Sequence, residues 1–215
     1  MKILVTGGAG FIGSHVVESY VEEGHDVILV DNLSTGKEEN IPLKARFYNI
    51  DFTSKQFIAL IKEEKPEIVN HQAGQTLIHV AVETPKLDAR INVLGIINLL
   101  TGCIEGNVKK IIFASSAGVY GQAYKMPITE NTTLKPENPY AITKVVCEYY
   151  IRYFCKENDI KYTILRYGNV FGPRDTVASD HVIAVFANTF LNGKQPIIHW
   201  DGNQTKDFIF VNDVA

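Results

Sequence analysis

Nine residues near the amino terminus, Val5-Thr6-Gly7-Gly8-Ala9-Gly10-Phe11-Ile12-Gly13, constrain this chain more than any other segment. The apolar run Lys2-Ile3-Leu4-Val5 before them reads as a short buried strand, and residues 11–23 carry the apolar recurrence of a helix. The glycines therefore occupy a strand-to-helix turn. Without side chains they permit a tight turn, close packing of helix on strand, and close approach of a dinucleotide pyrophosphate to the helix N-terminus. Gly7, Gly10 and Gly13 are spaced Gly-x-x-Gly-x-x-Gly, one residue wider at the first gap than the common dehydrogenase pattern.

A second apolar run, Val27-Ile28-Leu29-Val30, ends in Asp31, 18 residues beyond Gly13. A carboxylate at that place accepts hydrogen bonds from the adenosine ribose hydroxyls and repels a 2′-phosphate. Asn32 and Leu33 follow it, and the nearest cation is Lys37. The expected cofactor is NAD rather than NADP.

Strand and helix signals alternate through the rest of the chain. Residues 46–50, 67–72, 110–115 and 161–166 read as strands, and residues 54–65, 87–104 and 139–157 as helices. Such alternation predicts an α/β fold, a Rossmann-type doubly wound parallel sheet with helices on both faces. Residues 1–172 are expected to form the NAD-binding domain. Residues 173–215, with a helix at 182–191 and strands at 196–200 and 207–211, are expected to begin a smaller substrate-binding region. The chain stops at Asn212-Asp213-Val214-Ala215, which reads as a helix cap with no helix behind it and predicts a fragment of a longer protein.

Composition adds exclusions. The net charge is −3 with no basic block, so neither nucleic acid nor an anionic membrane is an expected partner. No apolar run reads as long enough to span a bilayer, and no signal peptide is recognised. Cys103, Cys147 and Cys155 fall in helical segments, which suits reduced thiols packed in the core of a cytoplasmic protein. No metal site is called for.

The catalytic signal is Tyr140-Ala141-Ile142-Thr143-Lys144. At i and i+4, Tyr140 and Lys144 share a helix face. A lysine ammonium beside a phenol favours the phenolate, which makes Tyr140 a usable general base. Ser116 closes the strand at 110–115, and open parallel sheets bind their ligands at the carboxyl ends of strands. Its hydroxyl can hydrogen-bond the substrate oxygen on which Tyr140 acts. His71 reads as a strand-end residue packed near the cofactor, because the serine, tyrosine and lysine already supply the proton chemistry.

Taken together, these segments resemble the extended short-chain dehydrogenase/reductase superfamily, and within it the NAD-dependent sugar-nucleotide epimerases. The resemblance runs through the whole chain, in order: residues 6–13, Val30-Asp31-Asn32, Asn49-Ile50-Asp51, His71-Gln72-Ala73-Gly74, Asn92, residues 115–121, 140–144, 166–174 and 201–208. It implies that Phe11 and Ile12 offer backbone amides to the pyrophosphate. It places Ile50 and Asp51 at the adenine, Asn32 next to the Asp31 ribose contact, and Ala73 and Gly74 beside ribose and phosphates, with Asn92 also in the cofactor site. Lys144 would bind the nicotinamide ribose, with Tyr140 close by. Asn169 and Lys206 would hold the substrate diphosphate, and Ser116 the sugar. The implied reaction is epimerisation of a nucleotide sugar, UDP-glucose/UDP-galactose at the 4-position, through a transient 4-keto sugar. The implied assembly is a homodimer through helices at 87–104 and 140–157.

Two departures stand out. Ala117-Gly118 follows the serines where related dehydratases carry acids that drive elimination of water. Lys206 stands where the family usually has arginine, and it lacks arginine's bidentate fork. Residue chemistry alone supports only hydride transfer at a carbinol. Another NAD-dependent sugar-nucleotide oxidoreductase, dehydratase or decarboxylase of the superfamily, or a non-catalytic NAD-binding regulator, are the alternatives at this stage.

Overall fold

The computed structural model describes residues 1–122, 125–199 and 201–215. Six parallel strands, β1 (Lys2–Thr6), β2 (Asp26–Asp31), β3 (Arg46–Asn49), β4 (Ile68–His71), β5 (Lys110–Ser116) and β6 (Lys161–Tyr167), form one sheet in the order β3-β2-β1-β4-β5-β6. That is the doubly wound order, with its switch point between β1 and β4. Both faces are buried, and the period-two alternation of the strands divides the core. Leu4, Ile28 and Val30 pack with Phe57, Leu99 and Ile151 on one face. Ile3, Val5, Val27 and Leu29 pack with Val16 and Val17 on the other.

The helices start where local chemistry dictates. In α1 (Phe11–Glu22) the N-cap is Gly10, which contributes no side chain. The Ser54 hydroxyl accepts from the Phe57 amide to start α2 (Lys55–Glu64), and Lys65 ends it in a left-handed turn, φ 48°. The Asn138 side chain accepts from the Ala141 amide, with Pro139 as first residue, to start α6 (Pro139–Glu157). Between them lie α3 (Ile78–Glu83), α4 (Pro85–Ala89), a π-helical turn (Arg90–Leu94) and α5 (Gly95–Glu105).

Several expectations are corrected. The last three of those segments run on as one 21-residue helix, Pro85–Glu105, which contains an 18-residue window of mean hydropathy 1.4 and so passes for a membrane span by length and composition only. Lys86, Asp88 and Arg90 gather at its amino end and leave the remainder apolar. Its Ile96, Leu99, Leu100 and Cys103 are buried in the core, which accounts for that character. Residues 196–199 form no strand, and Trp200 lies outside the described residues. The strand expected at 207–211 is shorter, β8 (Phe208–Phe210), and it pairs in parallel with β7 (Asn169–Phe171), too short to show a period. Val211 opens α8 (Val211–Val214) with Phe210 as N-cap, so Asn212 and Asp213 are inside the helix rather than caps. The remaining helix, α7 (Val182–Leu191), buries none of its residues.

At the amino end of the sheet, Glu64 accepts from Tyr48 Oη at 2.6 Å and Arg46 Nη1 at 2.7 Å, and pairs with Lys2 Nζ at 3.2 Å. The Tyr48 and Arg46 bonds hold its carboxyl at about 2, below the ordinary 4.5. Because the folded value is depressed, the stabilisation is fully present above about pH 4.5 and is lost as pH falls toward 2. Glu64→Gln is expected to cost about 1.5–3 kcal/mol at pH 7, the scale of hydrogen bonds to a charged group. Urea unfolding at pH 7 and pH 3 checks this: the gap between variant and parent should narrow in acid. A constant gap would show that the charge does not matter.

Candidate active site

The switch point is built around the glycine turn. Gly7 has φ +68°, and a Cβ there would lie 2.7 Å from the Ala73 amide nitrogen, so the loops after β1 and β4 touch. A Cβ on Gly13 would lie 2.0 Å from the Gly7 carbonyl oxygen. The turn is closed by Gly10 N–H donating to the Gly7 carbonyl at 3.1 Å and Gly7 N–H to Val30 at 2.8 Å. The first amides of α1, from Phe11 to Gly13, have no intrahelical acceptor, and no acidic side chain sits in that first turn. This is an uncompensated positive helix end with room for an anion.

Asp31 ends β2, 8% exposed. It accepts from the Ala9 amide at 3.0 Å and the Leu33 amide at 2.8 Å, and each carboxylate oxygen retains a second lone pair for a hydroxyl donor. Lys37, the nearest cation in sequence, pairs with Glu39 instead. Asn32 Nδ2 lies 3.4 Å from Asp51 Oδ2, while Asp51 Oδ1 accepts from Thr53 Oγ1 and its amide at 2.8 Å. Ile50 packs against the core beside them. The Ala73 amide donates to Thr6 Oγ1 at 3.3 Å, and Thr6 Oγ1 lies 2.7 Å from His71 Nδ1. Burial, and then the Lys144 charge, pull His71 down to about 3, so it is neutral, packed against Phe113 and Phe52.

Across the switch point, β5 carries Ser116 and α6 carries Tyr140 and Lys144, and the two elements pack on one another. Strand alternation turns the two serines apart: Ser115 Oγ donates to the buried Glu148 at 2.7 Å, while Ser116 Oγ accepts from the Gly118 amide at 3.1 Å. A Cβ on Gly118 would lie 3.3 Å from that Oγ and 3.9 Å from the Ala141 Cβ, which sets Ser116 against the first turn of α6. Lys144, 4% exposed, donates to the Ala114 carbonyl at 2.9 Å, and its Nζ lies 5.7 Å from the Tyr140 ring centroid. Glu148 is gripped by Arg166 at 2.6 and 2.9 Å. Burial opposes its ionisation, but the Arg166 and Ser115 bonds outweigh that and hold its carboxyl below the usual range.

Asn92 holds the loop that follows β4. Its Oδ1 accepts from the Gln75 amide at 3.0 Å, and its Nδ2 donates to the Gln75 carbonyl and to Asp88 Oδ1, both at 3.0 Å. Both ends of its amide are thus committed to the protein. Asn169 and Lys206 come together through β7 and β8: Asn169 Nδ2 donates to the Asp207 carbonyl at 2.9 Å, and Lys206 is exposed next to it. The segment after β7 crosses α1, a contact that the 166–174 motif does not announce. There Arg174 Nη1 donates to Glu18 at 2.9 Å and Ser14 Oγ at 3.1 Å, and the His181 ring lies 6.2 Å from that of Phe11. Sequence reasoning missed Asp88, because no motif marks it. Among the described residues no cluster of three His, Cys, Asp or Glu could hold a metal ion.

The family model described as "NAD dependent epimerase/dehydratase family" matches residues 3–215. A Methanocaldococcus jannaschii protein with the provisional name UDP-glucose 4-epimerase is 46% identical over 215 residues, spanning 99% of this chain and 70% of its own. The UDP-glucose 4-epimerase of Thermotoga maritima, solved with UDP-glucose, superposes with a TM-score of 0.96 at 42% identity, over 100% of this chain and 71% of that one. The Thermus thermophilus UDP-glucose 4-epimerase, solved with NAD, superposes at 0.93 with 38% identity, over 100% and 72%.

Proposed function

The chain belongs to the NAD-dependent epimerase/dehydratase family, and from that premise we propose that it interconverts UDP-glucose and UDP-galactose at the 4-position. The observation that carries the reading is the buried Lys144, whose Nζ lies 5.7 Å from the Tyr140 ring centroid and 2.9 Å from the Ala114 carbonyl, on the strand that ends in Ser116. The cradle fits NAD: its turn is packed so closely that a Cβ at Gly7 or Gly13 would collide with backbone, α1 presents free amides, and Asp31 faces no partner cation among the described residues. Phe11, Ile12, Gly13, Asp31 and the Ala73–Gly74 loop would hold it, with Asn32, Ile50 and Asp51 at its adenine end. NAD, when bound, supplies a hydride acceptor that later returns the hydride.

In this reading Tyr140 takes the proton from the sugar 4-hydroxyl and gives it back once the transient ketone has presented its other face. Lys144 holds positive charge against the phenol. Ser116 hydrogen-bonds the same oxygen and fixes its position. Asn169, with one amide hydrogen still free, and Lys206 hold the diphosphate, in a substrate region that starts near residue 173. Dehydratase chemistry is disfavoured by Ala117 and Gly118, which offer no acid at the turn after Ser116. A homodimer through the 85–105 helix and α6 is part of the proposal, supported by exposed Leu94, Ile142, Tyr149 and Tyr153. The three cysteines are buried and free, as packed core thiols in a reducing cytoplasm would be.

The test is direct. The purified protein, given UDP-galactose without added cofactor, should form UDP-glucose with no net NADH, and should release NAD on denaturation. Sedimentation of the same sample should give the mass of two chains. Steady accumulation of NADH sinks the epimerase reading, and a one-chain mass sinks the dimer.

A further inference from the structure

Asp88 is wholly buried, on α4 and away from every motif that signals chemistry. Its Oδ1 accepts from Gln75 Nε2 at 2.9 Å and from Asn92 Nδ2 at 3.0 Å, while its Oδ2 has no hydrogen-bond partner among the described residues. A carboxylate so placed is a poor device for stability, because burial with incomplete pairing costs more than an apolar side chain of the same size. What it does achieve is geometric. Gln75, held by Asp88, folds back on its own loop: its Nε2 donates to the Leu77 carbonyl at 3.1 Å and its Oε1 accepts from the Leu77 amide. Asn92, held by the same oxygen, grips the Gln75 backbone on both sides and reaches Thr143 Oγ1 at 3.4 Å. Thr143 in turn donates to the Tyr140 carbonyl at 2.9 Å.

The loop so pinned lies against the reacting groups. A Cβ on Gly74 would lie 2.9 Å from Asn92 Oδ1 and 3.8 Å from Lys144 Nζ. Asn92 is itself carried on the π-helical turn Arg90–Leu94, a widened turn of the kind that recurs at functional sites. We infer that Asp88 is a positioning residue of the reaction: through Gln75 and Asn92 it sets residues 74–77 against the Lys144 ammonium and the first turn of α6. The kinetic part of this inference rests on the epimerase reading; the structural part does not.

Asp88→Leu, Asp88→Asn and Gln75→Ala are compared as holoenzymes for kcat, KM and amide hydrogen exchange. Asp88→Leu should lower kcat by about 30- to 100-fold, the scale of a misplaced catalytic group, with KM held within about threefold. Exchange at Gln75 and Leu77 should quicken by about tenfold while the amides of β1 and β4 stay protected. Asp88→Asn keeps an oxygen for both donors and should rescue kcat, and Gln75→Ala should reproduce the loss. Parent-like kcat and loop exchange in Asp88→Leu, or equal losses in Asp88→Leu and Asp88→Asn, would overturn the inference. If Asp88→Leu does not fold, parent-like kcat in Gln75→Ala overturns it instead. If the parent itself fails to interconvert UDP-sugars, the exchange rates still decide the positioning role.

Discussion

Tyr140→Phe should lower kcat by about a thousandfold, within the range expected for losing a positioned acid–base group. NAD content and KM should stay near those of the parent. The change removes one oxygen and leaves the ring, whose centroid lies 5.7 Å from Lys144 Nζ, in place. Among the described residues no hydrogen bond engages the Tyr140 hydroxyl, so its removal orphans no protein partner. Lys144 remains anchored to the Ala114 carbonyl, and the Asn138 cap that starts α6 is untouched. The loss should therefore be kinetic and leave the thermal midpoint unchanged. Turnover within tenfold of the parent would remove Tyr140 from the mechanism. Parallel loss of NAD would turn its role from chemistry to cofactor retention.

Gly13→Ala should remove NAD altogether, weakening its binding by at least about a hundredfold, or roughly 3 kcal/mol. The added carbon meets backbone on a second segment, 2.0 Å from the Gly7 carbonyl oxygen and 2.8 Å from its carbon. Gly7 cannot yield easily, because its amide is bonded to Val30 and a Cβ direction away is already blocked by Ala73. The start of α1 would have to tilt off the sheet, carrying the Phe11 and Ile12 amides away from the pyrophosphate position. Gly24→Ala is the control. Its φ of +79° makes the substitution strained by about 1 kcal/mol, but no atom lies within 4 Å of the new Cβ. NAD should stay with Gly24→Ala and leave with Gly13→Ala, as read from the nucleotide released on denaturation. Retention in Gly13→Ala would show that the turn does not cradle the cofactor.

Much of the fold is legible in the chain because its signals are local. A strand buried on both faces must be apolar throughout, as Ile3 to Val5 and Val27 to Val30 are, and a helix must announce its start through residues such as Ser54 or Asn138. β7 and β8 were harder to read, at three residues each, and the helix running from Pro85 conceals its length behind charges at one end. At the site, the separation between Ser115 and Ser116 follows from strand alternation, whereas the partner that each finds does not.

Sequence by itself determined the doubly wound sheet, the glycine turn, the acid at the end of β2, and the Tyr140–Lys144 spacing. The last three depend on residues close together in the chain, and the sheet follows from the alternation of local strand and helix signals. The packed place of His71 was legible too, but its neutrality, the hold of Asn92 on a loop through both ends of its amide, and the place of Asp88 at the centre of that loop's support emerge only in the folded chain. Those roles arise from groups on β4, α4, the π-helical turn and α6 that meet only after the sheet has assembled. Burial and hydrogen-bond partnership are properties of that assembly, so no spacing along the chain encodes them.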